Sequence, residues 1–222
     1  MRVSVLASLP DDAVRAIVEA ARPRMVAARE TIAHEGEPAT FAGLVEAGHL
    51  KLTRVSPQGT EIIVRHIGPG DPFGAVALIP NAVYPVTATA VMPCRMLIWP
   101  KETLAELAAR YPALTTNLMA AMSRHMTDSL GRIQDLTGER VPQRVAKTLA
   151  QLAETSGVRT EEGLRIAHPL TRQELADLTG TSLFTVSRLV AAWESHGLLR
   201  TGRGWVTVVD IPGLLDAAAA TE

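Results

Sequence analysis

The chain has 222 residues, 47% of them apolar, with a formal net charge of −1 at pH 7. That length accommodates one large or two modest domains, and the apolar content supplies real cores, so disorder is not the default expectation. The near-zero charge neither requires nor forbids a polyanionic partner, and one cysteine, Cys94, rules out a disulfide within the chain.

Ser8-Leu9-Pro10-Asp11-Asp12 predicts a helix start, with Val14, Ile17 and Val18 on one face. The apolar run 3–9 is too short for a signal segment and leads into Asp11-Asp12. No run approaches the roughly 18 residues of a membrane span, so the expectation is a soluble, cytoplasmic protein without a membrane partner. From Met25 the pattern changes to short β-runs broken by Gly and Pro. Residues 31–33, 41–46, 50–55, 61–67, 86–91 and 95–99 are the predicted strands. Ser56-Pro57-Gln58-Gly59 is a hairpin turn, and Gly36, Gly48 and Gly68-Pro69-Gly70 mark corners. Strands so short and closely spaced predict an antiparallel barrel or jelly-roll-like β-roll over residues 1–112.

Residues 113–138 carry a helical pattern without proline. Met119, Met126 and Ile133 recur at heptad spacing, as do Met122, Ser129 and Leu136, which makes a seam with a polar interruption. The seam predicts a dimerisation helix; the alternative is a core helix packed on the β-roll.

Residues 139–212 hold a local enrichment of Arg and Lys: Arg140, Arg144, Lys147, Arg159, Arg165, Arg172, Arg188, Arg200 and Arg203. Pro142 suits the first turn of a helix whose buried face is Val145, Leu149 and Leu152. Glu161-Glu162-Gly163 then turns into a short strand, 164–166. The stretch LTRQELADLTGTSLFTVSRLVAAWESHGLL, residues 170–199, predicts a helix-turn-helix. Thr171 at the N-cap and Glu174 at N3 form a capping box, with Leu170 stapled on Leu175. Gly180 supplies the turn and Ser182 caps the second helix, 183–195.

That helix sorts into two faces. Val186, Leu189, Val190 and Trp193 form the buried stripe; Phe184, Ser187, Arg188 and Ala191 form the opposite one. The second set suits a major groove: Arg bonds bidentately to guanine, Ser donates or accepts, and an apolar ring touches a thymine methyl. The alternative is an ordinary helical hairpin with Phe184 in its core. Residues 198–200 and 205–209 flank Thr201-Gly202-Arg203-Gly204, a hairpin of the right length for a wing. Arg203 at its tip suits a phosphate contact or open solvent. Residues 211–218 close the chain as a helix.

Thr171-Arg172-Gln173-Glu174, the Gly180 turn and Ser182-Leu183-Phe184-Thr185-Val186-Ser187-Arg188 together resemble the helix-turn-helix of the Crp/Fnr superfamily of bacterial transcription regulators. The similarity covers nearly the whole chain. It implies an α+β protein: an N-terminal β-roll of the cyclic-nucleotide-binding type, a long dimerisation helix and a C-terminal winged helix-turn-helix. It implies double-stranded DNA, a second copy of the chain and RNA polymerase as partners. Ser187 and Arg188 match base-reading positions; Arg172, Gln173, Ser182 and Thr185 match positions that touch phosphate. Thr171, Thr181 and Arg203 complete that candidate set. Most members carry a base-reading Glu where this chain has Phe184, so the half-site is expected to differ at that base pair.

In the roll, Glu35-Gly36-Glu37, Gly48 and Gly68-Pro69-Gly70-Asp71-Pro72-Phe73-Gly74 match the superfamily, and the ligand cassette does not. Gly74-Ala75 replaces Gly-Glu, Tyr84-Pro85 stands near the expected Arg-Ser, and no Arg or Lys lies between Arg65 and Arg95. A buried phosphate without a cationic clamp is costly, which argues against cyclic AMP. The effector pocket is expected at Phe73, Gly74, Ala75, Val76, Tyr84, Pro85, Val86, Thr87 and His125. A lone cysteine argues against an iron–sulfur cluster. Haem stays open through His34, His49, His66 and His125, each of which reads equally as an ordinary histidine. So does an apolar or uncharged ligand, or none. Rival readings are a regulatory protein using a degenerate winged helix for protein contacts, and a haem-based gas sensor regulating transcription. With no P-loop, nucleophile elbow or metal-ligand spacing in the sequence, no enzyme is expected.

Overall fold

The computed structural model describes residues 4–57, 59 and 61–220, with the side chains of Ser4 and of residues 131–138 outside the described set. The chain divides into two compact units, Met1–Asp128 and Ser129–Glu222.

The first unit opens with α1, Asp11–Glu19, followed by eight short strands among the described residues. These are β1 Arg22–Val26, β2 Thr31–Ala33, β3 Phe41–Ala47, β4 Leu50–Val55, β5 Glu61–Ile67, β6 Pro72–Phe73, β7 Thr87–Ala90 and β8 Cys94–Pro100. They pair antiparallel in two sheets, ordered β1-β8-β3-β6 and β2-β7-β4-β5, so the chain crosses repeatedly between sheets as a roll does. Val26, Val45, Leu50, Ile67, Ala88, Ala90 and Met96 fill the interior. The tight corner before β4 needs glycine twice over. Gly48 has φ +86°, and a Cβ there would meet the Pro93 carbonyl at 2.5 Å and Cys94 Sγ at 2.6 Å.

Two helices follow, α2 Lys101–Arg110 and α3 Pro112–Gly138. Leu104 and Leu107 of α2 and Leu114, Leu118 and Ala121 of α3 pack with Ile17, Leu44 and Trp99 in a second cluster. The Trp99 indole N–H donates to the Ile17 carbonyl at 2.7 Å and ties α1 to β8. On α3, Met119, Met122, Met126 and Leu130 stay between 45% and 66% exposed. No helix among the described residues is long and apolar enough to cross a membrane.

The second unit contains α4 Val141–Ser156, β9 Gly157–Thr160, β10 Gly163–Ile166, α5 Arg172–Thr179, α6 Leu183–Ser195, β11 Leu199–Gly202, β12 Trp205–Val208 and α7 Ile211–Ala220. Its antiparallel sheet runs β11-β12-β10-β9. One core unites Val145, Leu149, Leu175, Val186, Val190, Trp193, Leu199, Val208 and Leu214. The fold is the expected α+β architecture.

Among the strands and α-helices of the described residues, β1, β6, β9 and α2 are not among those predicted. Only Val26 of β1 is buried, so that strand shows no alternation; register against β8 makes it a strand. On α1 the buried residues are Ala13 and Ile17, whereas Val18 is 38% exposed, which corrects the expected apolar face.

Candidate nucleic-acid interface

The capping box of α5 forms as its residues dictate. The Glu174 N–H donates to Thr171 Oγ1 at 3.1 Å, and the Thr171 N–H donates to Glu174 Oε2 at 2.8 Å. Leu170 and Leu175 are buried in the same cluster. Gly180 ends the helix at φ +60°, a left-handed conformation that glycine adopts without a Cβ penalty. Arg144 Nε donates to the Thr179 carbonyl at 3.1 Å, satisfying an orphan acceptor at the helix end. The Thr181 N–H returns to the Ala176 carbonyl at 3.0 Å, and Ser182 Oγ accepts from the Thr185 N–H at 3.1 Å to start α6.

The two faces of α6 separate as their spacing requires. Val186, Leu189, Val190 and Trp193 are no more than 5% exposed, while Phe184 is 77% exposed. An apolar ring left in water beside a fully buried stripe is the exception here, and it removes the reading that places Phe184 in the core. Arg188 is exposed and Ser187 half-buried. Among the described residues the Arg188 guanidinium makes no hydrogen bond or ion pair.

Around this face stand the other candidates. Arg172 Nη1 donates to the Ser187 carbonyl at 3.3 Å, which brings the start of α5 against the middle of α6. Gln173 Nε2 donates to Asp177 Oδ1 at 2.8 Å and so lies along its own helix. The Ser182 and Thr185 hydroxyls are 2.9 Å apart. A groove of about 210 Å³ runs between Thr171 and Arg172 on one side and Thr201, Gly202, Gly204 and Trp205 on the other. Arg203 is exposed in the two-residue turn joining β11 to β12.

Sequence patterns passed over the contacts that hold the wing. Glu194 Oε1 accepts from the Thr201 N–H at 2.9 Å, and both Glu194 oxygens lie within 3.1 Å of Thr201 Oγ1. Arg165 stacks over the Trp205 ring at 4.5 Å and donates through Nε to Thr207 Oγ1 at 3.2 Å. A signal was present: Glu194 stands one turn beyond Val190, a carboxylate where the buried stripe would continue.

In the roll, Phe73 and Tyr84 stack with centroids 5.4 Å apart, and Phe41 leans on Tyr84 at 5.6 Å. The Tyr84 hydroxyl accepts from the Phe41 N–H at 3.1 Å and donates to the Phe41 carbonyl at 2.9 Å. Val76 and Val86 pack against this cluster, whereas Ala75 packs against the one containing Trp99. Gly74 precedes a short 3-10 turn, Pro85 is exposed, and Thr87 Oγ1 accepts from the Glu35 N–H at 3.0 Å.

His125 lies apart, in a groove of about 420 Å³ with Arg65, Asp71, Arg124 and Asp128. Burial, then the Arg65 charge, push its pKa below the ordinary histidine value. Of the other histidines, His49 is buried, His66 half-buried and His34 exposed. Among the described residues no three His, Cys, Asp or Glu side chains are grouped as metal ligands would be. The seam residues Met119, Met122, Met126 and Ser129 are exposed; the side chains of Ile133 and Leu136 lie outside the described residues.

Comparison with known proteins places this geometry. Residues 23–111 match the cyclic nucleotide-binding domain family, and residues 143–217 match the Crp-like helix-turn-helix domain. The chain is 30% identical to the cyclic AMP receptor protein of Thermus thermophilus over 78% of its own length and 81% of that protein's. It is 28% identical to a CRP-like cAMP-activated global transcriptional regulator of Mycobacterium tuberculosis, covering 90% and 89% of the two chains. Among solved structures, FixK2 from Bradyrhizobium japonicum superposes with a TM-score of 0.78 at 21% identity, covering 91% of this chain and 99% of that one. The chain, with its β-roll and its winged helix-turn-helix, belongs to the Crp/Fnr family of DNA-binding transcription regulators.

Proposed function

We propose that the chain binds a two-fold symmetric operator as a homodimer and reads each half-site with α6. Arg188 takes a guanine, Phe184 a thymine methyl and Ser187 an adjacent base edge. Thr171, Arg172, Gln173, Thr181, Ser182, Thr185 and Arg203 bind the phosphates that fix its register. The observation that carries this reading is the division of α6: a buried apolar stripe opposite a face presenting an exposed ring and a guanidinium with no partner among the described residues. No core requirement explains Phe184 there, and a groove lined with thymine methyls does.

Dimerisation runs through the exposed stripe Met119, Met122 and Met126, widened by Leu130, and through Ser129, Ile133 and Leu136 at the remaining heptad positions of the sequence. On this reading residues 1–112 are the sensor, 113–138 the dimer helix and 139–222 the DNA-binding domain, which acts on RNA polymerase once seated. The sensor responds to something other than cyclic AMP: Tyr84 fills the position beside Phe73 with a ring, and no Arg or Lys lies between Arg65 and Arg95 in the sequence to clamp a phosphate.

Binding-site selection from random duplexes tests the assignment. The expected product is a palindrome with half-site centres about 34–36 Å apart, one helical turn. Arg188→Ala is expected to lose about 1–3 kcal/mol on that site and preference at one base pair per half-site. Selection of a non-palindromic site, or an Arg188→Ala consensus identical to the parent's, overturns it.

A further inference from the structure

We infer that Glu194 is a positioning residue for DNA recognition: it fixes the wing at a set distance from the base-reading face of α6. The inference rests on the α6 assignment and deepens it. Strand β11 is the edge of its sheet, so half of its backbone donors face away from β12. The Thr201 N–H donates to Glu194 Oε1 at 2.9 Å, and the Thr201 hydroxyl lies 3.0 and 3.1 Å from the two carboxylate oxygens. A carboxylate receiving a backbone N–H and a hydroxyl together is a charge-assisted, two-point clamp. It joins the last turn of α6 to the residue two positions before Arg203.

The charge is badly placed for any other purpose. Glu194 sits at the C-terminal end of α6, where the helix dipole opposes a negative group. It also adds negative charge to a domain whose partner is a polyanion. What it supplies in return is geometry. The other side of the wing turn is tied separately, by the Leu170 N–H donating to the Gly204 carbonyl at 3.2 Å. The turn carrying Arg203 is thereby held from α6 on one side and from the cap of α5 on the other. Phosphate contact by Arg203 and base contact by Arg188 then occur in one fixed register.

A double-mutant cycle with Arg203 on the full chain and the selected operator tests this, because among the described residues Glu194 and Arg203 share no hydrogen bond or ion pair and are linked through the wing. Glu194→Ala is expected to weaken operator binding about tenfold and to reduce the effect of Arg203→Ala to near nothing. Electrostatics alone has the opposite sign, since removing a carboxylate beside DNA tightens binding to every sequence. Glu194→Gln keeps an acceptor for the Thr201 N–H and is expected to bind at least as tightly as the parent. Should Glu194→Ala fail to fold, Thr201→Val, which deletes only the hydroxyl half of the clamp, carries the same cycle with an expected loss of about threefold. Tighter binding by the clamp-breaking variant, or an Arg203→Ala effect of equal size in both backgrounds, refutes the clamp. Arg188→Ala on the same operator separates the two layers. If it too leaves binding unchanged, the α6 assignment has failed; if it alone weakens binding, only the clamp has.

Discussion

Phe184→Ala removes a ring that contributes nothing to the core, so its effect belongs to DNA. The residue is 77% exposed in the free chain. An aromatic side chain of about 200 Å² then leaves roughly 150 Å² available to a partner. Covering half of that against a thymine methyl and its sugar edge, at about 25 cal/mol per Å², gives about 2 kcal/mol, or roughly 30-fold in affinity. Folding stability is expected to move by no more than about 0.5 kcal/mol, as for an exposed position. Fluorescence anisotropy with the selected operator, and with the same duplex carrying deoxyuridine for the candidate thymine, isolates the methyl. The parent is expected to lose affinity on the deoxyuridine duplex, and Phe184→Ala to bind both duplexes alike. Phe184→Glu is expected to shift selection toward a cytosine, whose N4 amine a carboxylate accepts from. A methyl preference that survives Phe184→Ala undiminished would falsify the assignment and leave Ser187 and Arg188 as the base readers of α6.

Met126→Glu places like charges together at the proposed two-fold axis; multi-angle light scattering is expected to give a monomer, with operator affinity falling by more than about tenfold, and a mutant that remains dimeric removes the seam. Calorimetric titration with cyclic AMP or cyclic GMP is expected to show no saturable binding below about millimolar and no change in operator affinity; tight binding means another segment supplies the cation. His168 is 1% exposed, and burial, opposed by its bond to the Pro169 carbonyl and by the Glu174 charge, holds its pKa below the ordinary value of 6.5. The unfolded chain therefore takes up this proton at a higher pH than the folded one, so the stabilisation is present above 6.5 and is lost as the pH falls below it. Thermal melts from pH 7.5 to 5.5 are expected to show that loss, and His168→Gln to flatten it; an unchanged slope assigns the dependence elsewhere.

What was legible in the sequence is what local chemistry decides. The capping box at Thr171 and Glu174, the left-handed Gly180 and the cap at Ser182 each depend on residues a few positions apart, and all three form. The division of α6 follows from helical periodicity alone, and its buried stripe is the one the spacing predicts. Elements set by distant partners were not legible. β1 reads Arg22-Pro23-Arg24-Met25-Val26, a composition that names no strand until β8 lies beside it. α2 carries only Leu104 and Leu107 as buried anchors in a charged segment that begins directly after a strand proline. The Glu194 clamp joins residues seven apart across a helix end and a turn, outside any periodic pattern.

The roll makes the same point about function. Tyr84 stands near the position where the resemblance leads one to expect Arg-Ser, and its hydroxyl satisfies both backbone groups of Phe41 at once. Its ring also stacks on Phe73, so one side chain bridges Phe41 of β3 and Phe73 of β6. On the proposed reading, a cyclic phosphate placed against Tyr84 would displace that ring, strand the Phe41 N–H and carbonyl, and bury its charge in a stretch with no Arg or Lys between Arg65 and Arg95. Each unsatisfied group costs about 1–3 kcal/mol before the anion is counted. On this proposal the glycines that shape the roll are kept, and an aromatic bolt stands where the resemblance leads one to expect phosphate chemistry. On the proposed reading, the signal this sensor answers to is sought among uncharged or apolar groups, or in the bolt itself.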